Sequence, residues 1–230
     1  SSLVQDPRTG RFRLFLSCDP DYAAADPQAL GWHIVKCNEV IDPTEVDPQT
    51  ATVVISPEGV GTESGPVKDP YVIVIGWQYY MFYTAKDGGG EQAHLATSID
   101  GDNWLKSKDL NPVIARGGWH NFHTRVACVL PVGNGFVIYY EGANRQWYQP
   151  MYNILTGIAT SLDMKHFTDV TPNEPLLSSP TPASDKLTDS YHTLRYMDCV
   201  QVGNTILFYY EAACKDGSFE LRVTPYHLKD

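Results

Sequence analysis

RVACVLPVGNGFVIYYEGA, residues 125–143, returns seventy residues later as RYMDCVQVGNTILFYYEAA, residues 195–213. Both copies read as an arginine, a strand, a V-G-N turn, a second strand ending in Y-Y-E, and a pair of small residues. A glycine followed by asparagine between two runs of β-branched and aromatic residues is a hairpin signal. KDPYVIVIGWQYYMFYTAKDG, residues 68–88, falls on the same frame, with Lys68 under Arg125, Gly76 under Gly133, Tyr83 under Tyr140 and Thr84 under Glu141. At the amino terminus, SSLVQDPRTGRFRLFLSCD, residues 1–19, reads as the same strand, turn and strand, with a tight turn at Asp6 to Gly10.

A second recurrence follows the hairpins. HLATSIDGDNW, residues 94–104, parallels GIATSLDMKHF, residues 157–167. Each predicts a third strand, a turn built on Ser and Asp, and an aromatic residue opening a short fourth strand. GWHIVKCNEV, residues 31–40, supplies the third strand of the first unit. The chain therefore reads as all-β, in four-stranded antiparallel meanders of about 50 to 70 residues, with units at about 1–60, 61–118, 119–185 and 186–230. Meanders repeated at this spacing predict a β-propeller, each sheet one blade, in a single domain over residues 1–230. A β-sandwich is the competing architecture, but a sandwich does not require like-for-like modules.

Composition narrows the function. With 43% apolar residues the chain is able to bury a core, and no apolar run approaches the length of a membrane span. A net charge of −10 and a pI near 5.0 argue against nucleic-acid or anionic-membrane partners, both of which need a basic face. Aromatic residues reach 12%, and the 14 Tyr and 5 Trp are good strand formers whose flat faces also suit sugar rings. The five cysteines, Cys18, Cys37, Cys128, Cys199 and Cys214, form no C-x-x-C pair and show no metal-ligand spacing, so no metal site is expected from them. They read as buried free thiols, with Cys18 and Cys37 as candidates to face each other on adjacent strands. No signal-peptide pattern is present, and the chain opens at Ser1 inside strand-like sequence, which fits a processed or trimmed terminus.

In a propeller, strand one of each blade starts, and strand two ends, on the same face. The strand-one starts supply Lys68 and Asp69, then His123 and Arg125, then His192 and Arg195; the strand-two ends supply Glu141 and Glu211. Trp119, His120 and Trp147 fall in the loops beside them. Polar groups converging from several elements are what a binding or catalytic site requires.

At these residues the chain resembles a known group. V-K-D-P-Y-V-I, then W-Q-Y-Y-M-F-Y-T-A, then H-L-A-T-S-I-D-G-D-N-W, resemble the five-bladed propeller glycoside hydrolases: the arabinanase and β-xylosidase group, the invertase and levanase group, and their relatives. The resemblance covers the second unit well, the third fairly and the ends poorly. It implies a five-bladed ring, a carbohydrate substrate, a secreted or periplasmic setting, and hydrolysis by carboxylates, one to protonate the leaving oxygen and one to act as base or nucleophile. It makes Asp69 a catalytic carboxylate, with Glu141 and Glu211 as candidate partners. No cofactor is implied, although a central Ca²⁺ occurs in some relatives.

The departures matter as much. Those families open three successive blades with an acidic residue, whereas here the third unit opens His123-Thr124-Arg125 and the first opens Ser1-Ser2. The alternatives are a non-catalytic carbohydrate-binding propeller, and a glycoside phosphorylase in which cations hold phosphate in place of water. Arg125 and Arg195 either pair with the nearby carboxylates or receive the carboxylate of an acidic sugar. His123 and His192 are structural histidines or substrate-positioning groups, and Trp119 and Trp147 are packing residues or sugar-stacking surfaces. Asp100 and Asp163, in the S-x-D turns, are structural.

Overall fold

A computed structural model describes residues 1–19, 31–145, 153–179 and 192–228, which form two compact units, 1–114 and 115–230. Strand dominates both, and among the described residues three single-turn 3-10 helices lie between strands.

In the first unit, β1 (Ser2–Gln5), β2 (Phe12–Cys18), β3 (His33–Lys36) and β4 (Thr52–Ile55) pair in sequence order as one antiparallel sheet. A second antiparallel sheet follows in the same order: β5 (Val67–Ile75), β6 (Gln78–Asp87), β7 (Gly90–Ser98) and β8 (Leu105–Lys106). Phe15, Ile34 and Ile55 from the first sheet meet Val72, Tyr79, Met81 and Tyr83 from the second in one buried core. Trp104, just before β8, closes it with its ring edge-on to Phe15 and Tyr79, at 5.8 and 6.2 Å between centroids. Removing this apolar surface from water is the main force holding the two sheets together.

In the second unit, β9 (His123–Val132), β10 (Gly135–Ala143), β11 (Leu155–Ser161) and β12 (Thr168–Asp169) form a third four-stranded antiparallel sheet. The last sheet has three strands among the described residues: β13 (Leu194–Val202), β14 (Thr205–Ala213) and β15 (Phe219–His227). The repeated V-G-N sits at the same hairpin in both sheets. Val132 pairs with Gly135 and Val202 with Thr205, leaving two-residue loops whose Gly133 and Gly203 take φ of 57° and 60°. A two-residue hairpin needs this left-handed backbone to match the strand twist, and glycine enters it without steric cost.

The two S-x-D turns superpose in chemistry. Asp100 accepts the N–H groups of Asp102 and Asn103 at 2.9 and 2.8 Å; Asp163 accepts those of Lys165 and His166 at the same distances. Hydrogen bonds to these carboxylates, chiefly from Asn103 and His166, hold both well below the usual carboxylate range. Cys18 and Cys37 do not face each other. Cys18 pairs with His33, while the Cys37 N–H donates to the Leu14 carbonyl at the other end of β2. The antiparallel register carries them apart.

Candidate functional site

Asp69 stands in the first unit at an irregularity in β5. The pairing runs Lys68 with Thr84 and then jumps to Tyr71 with Phe82, so Asp69 and Pro70 bulge from the ladder. Pro70 has no N–H to offer a partner strand, which is why a bulge accommodates it. Asp69 takes φ of 54°, a left-handed conformation that aspartate tolerates better than most residues. Its N–H donates to Ser17 Oγ on β2 at 2.7 Å, and its side chain is half-buried. Lys68, next to it, forms an ion pair with Glu91 on β7 at 2.9 Å.

The second unit gathers four of the expected residues into one connected cluster. Arg125 and Glu141 are direct cross-strand partners on β9 and β10. The Arg125 guanidinium donates to Glu141 Oε2 through Nε, at 2.6 Å, and through Nη2. The other carboxylate oxygen accepts the backbone N–H of Tyr196 on β13. Glu141 is fully buried and Arg125 is 6% exposed, so this is a desolvated pair. In the next repeat, seventy residues on, Arg195 and Glu211 pair across β13 and β14 at 3.1 Å, with side chains 19% and 35% exposed. The Arg125 and Arg195 guanidiniums lie 4.5 and 4.9 Å from the Tyr196 ring, and Arg195 lies 4.0 Å from that of Phe219. Aromatic faces stabilise cations at this range.

Tyr196 was not singled out from the sequence, yet it occupies the Asp69 position of the repeat. Each follows the basic residue that opens strand one, each lies in a β-bulge, and Tyr196 has φ of 53°. The signal was present in the alignment of K-D-P with R-Y-M.

The remaining expected residues are placed as follows. His123, the first residue of β9, is fully buried opposite Ala143. His192 precedes β13 with φ of 55°, and its Nδ1 lies 3.1 Å from the Ser179 carbonyl oxygen. Trp119 is not a surface for sugar stacking. It is 7% exposed, stacks on Tyr140 with centroids 5.9 Å apart, and donates Nε1–H to the Thr171 carbonyl at 2.6 Å. A ring with a polar edge is best satisfied where the face packs and the N–H finds an acceptor, as here. Trp147 lies outside the described residues.

Each unit also holds a tyrosine–carboxylate–histidine group whose tyrosine is buried. Tyr83 donates to Glu63 at 3.2 Å, Lys106 Nζ meets both Glu63 oxygens at 3.0 and 3.1 Å, and His94 Nε2 lies 3.3 Å from Thr62 Oγ1. Tyr140 donates to Asp169 at 2.9 Å, and His120 Nε2 lies 3.0 Å from the other Asp169 oxygen. Burial pushes both tyrosines up, and burial drives His94 down to about 4. Among the described residues no group of three or more His, Cys, Asp or Glu side chains is arranged to hold a metal ion.

Neither the models of known families nor the curated proteins contain a match to this chain. Solved structures do share its fold. An α-L-arabinofuranosidase from Lactobacillus brevis aligns over 99% of this chain and 72% of its own, with a TM-score of 0.68 at 15% identity. A β-1,2-mannobiose phosphorylase from Listeria innocua, solved with β-1,2-mannobiose, aligns over 96% and 56%, at 0.65 and 16%. The Bombyx mori GH32 β-fructofuranosidase aligns over 96% and 40%, at 0.60 and 17%. The chain thus has the fold of propeller glycoside hydrolases, and it spans about three-fifths of the length of the first structures it resembles, 63%, 63% and 56%.

Proposed function

We propose that the chain carries the propeller of a glycoside hydrolase that cleaves a glycosidic bond in an oligo- or polysaccharide, with Asp69 as one reacting carboxylate. The observation that carries this reading is the bulged opening of β5, where Lys68-Asp69-Pro70 presents a half-buried carboxylate from a left-handed backbone. Strained backbone of this kind persists where the surroundings over-determine it, and such places cluster at functional sites. The likeness to glycoside hydrolase structures supports the reading, which takes residues 1–230 as one domain of a five-bladed ring.

The chemistry needs a second carboxylate, so that one protonates the leaving oxygen and the other acts as base or nucleophile. Of the two glutamates, Glu211 is assigned that role because it is partly exposed. Glu141, fully buried between Arg125 and the Tyr196 N–H, is assigned to hold those groups in position. Arg195 and His192, which are partly exposed, are assigned to position the sugar, while the buried His123 and Arg125 are assigned to hold the cluster together.

The mannobiose phosphorylase likeness, together with the two arginines of the cluster, favours one further reading, in which inorganic phosphate takes the place of water. One experiment separates these readings. Wild type, Asp69→Asn and Glu211→Gln are screened on furanoside, pyranoside and uronic-acid oligosaccharides, with and without phosphate, scoring released reducing ends and binding. Turnover without phosphate that vanishes in Asp69→Asn while binding survives supports the hydrolase. Turnover only with phosphate supports the phosphorylase, and binding without turnover in any protein leaves a non-catalytic carbohydrate-binding propeller.

A further inference from the structure

Cys128 on β9 and Cys199 on β13 belong to different sheets of the second unit, 71 residues apart in sequence, yet their sulfurs lie 3.7 Å apart. The approach is held by its surroundings. Cys128 pairs across its sheet with Tyr139 and Cys199 across its own with Phe208, and the rings of Tyr139 and Phe208 meet edge-on at 5.6 Å between centroids. The bulge in the β9–β10 pairing lies immediately beside Cys128, which sets the direction of its side chain.

We propose that Cys128 and Cys199 form a thiol–disulfide exchange site, which a low-molecular-weight disulfide converts into a cross-link between β9 and β13. Bond formation requires the sulfurs to close by about 1.7 Å, within reach of side-chain rotation. The two thiols are unequal. Cys199 is partly exposed and Cys128 is fully buried. The Cys128 thiol donates to the Cys199 sulfur, which holds Cys199 below and Cys128 above the ordinary thiol range. Cys199 is therefore the entry thiol and Cys128 the resolving one.

The Cys199 thiolate attacks one sulfur of the external disulfide, the S–S bond breaks, and one thiolate leaves with its electron pair. Cys128 gives its proton to that departing thiolate and attacks the Cys199 sulfur of the mixed disulfide, expelling a second thiolate that takes up the proton Cys199 released on ionising. Two protein thiols are oxidised and one external disulfide is reduced to two thiols. The product links β9, which carries Arg125, to β13, which carries Arg195 and Tyr196, and so restrains the Tyr196–Glu141 contact.

The test is incubation of the wild-type chain in oxidised and reduced glutathione mixtures, with acid quench, alkylation and peptide mapping, and thermal unfolding of each form. The expected result is one cross-linked peptide joining Cys128 and Cys199, reversed by dithiothreitol, with a rise in Tm of about 5–10 °C from closing a long loop. Cys128→Ser is expected to stop at a single glutathione adduct on Cys199. Cysteine pairs other than these two, or a wild-type adduct on Cys199 that never resolves, overturn the assignment. The wild-type map decides this even where a variant folds poorly.

Discussion

The backbone N–H of Tyr196 donates to the carboxylate of Glu141, 55 residues earlier in the chain, on the oxygen that Arg125 Nε leaves free. Asp69 does the equivalent in the first unit, where its N–H goes to Ser17 Oγ. A β-bulge removes a backbone N–H from its ladder, and a buried N–H without an acceptor is costly. Both units answer with a side chain from the second strand of the neighbouring sheet. In one it is a neutral hydroxyl; in the other it is a carboxylate that also neutralises a buried arginine.

Glu141 and Glu211 end identical Y-Y-E stretches, but their replacement is expected to differ sharply. Glu141→Gln removes the buried carboxylate that Arg125 donates to, and loss of one partner of a buried pair costs about 3–5 kcal/mol. Glu211→Gln breaks a partly exposed pair and is expected to cost about 1 kcal/mol or less. Urea unfolding with an unchanged m-value checks both; equal shifts in midpoint would show that burial is not what separates the two glutamates.

Substitutions at Asp69 are expected to rank by backbone tolerance as well as by charge. Asparagine accepts a φ of 54°, whereas alanine places a β-carbon in the left-handed region without a local hydrogen bond to offset it. Asp69→Ala should be less stable than Asp69→Asn by about 1 kcal/mol. Both should lose turnover equally if the carboxylate reacts. Thermal unfolding and activity measured on the same samples separate the two effects.

His94 gives the first unit a defined acid response. Burial holds its imidazole at about 4 in the fold against 6.5 in the unfolded chain, and Nδ1 is buried without a hydrogen-bond partner. Below pH 6.5 the unfolded chain takes up a proton that the folded chain refuses. Stability is therefore full above about pH 6.5 and falls as the pH drops toward 4, by on the order of 3 kcal/mol from this group. His94→Gln is expected to flatten the stability profile between these limits, read from urea midpoints at half-unit intervals; an unchanged slope would assign the loss to other groups.

Gly157 on β11 pairs with Tyr140 on β10, and a β-carbon there would run into the Tyr140 ring and lie 2.7 Å from its hydroxyl oxygen. That ring is fully buried between Trp119 and His120, so it has no room to give way. Gly157→Ala is expected to destabilise by about 1–3 kcal/mol. It should also red-shift tryptophan emission as Trp119 is displaced. A silent substitution would mean that β11 moves more easily than its pairing suggests.

The sheets were legible because local chemistry writes them out. V-G-N at Gly133 and Gly203, the S-x-D turns at Asp100 and Asp163, and the runs around Tyr83, Tyr140 and Tyr210 each determine a turn or a strand within a few residues, and their repetition predicts the meander. The candidate pairing of Arg125 with Glu141 was also within reach, since a hairpin of known turn places those residues opposite each other. Contacts between sheets were decided by the tertiary structure alone. Which face of β13 meets β9 depends on bulges at Tyr196 and beside Cys128 that re-aim side chains without any local turn signal. For that reason Cys128 meets Cys199 while Cys18 and Cys37 stay apart, Trp119 enters the core, and Glu141 becomes a buried counter-ion while Glu211, in the same motif, remains half in water.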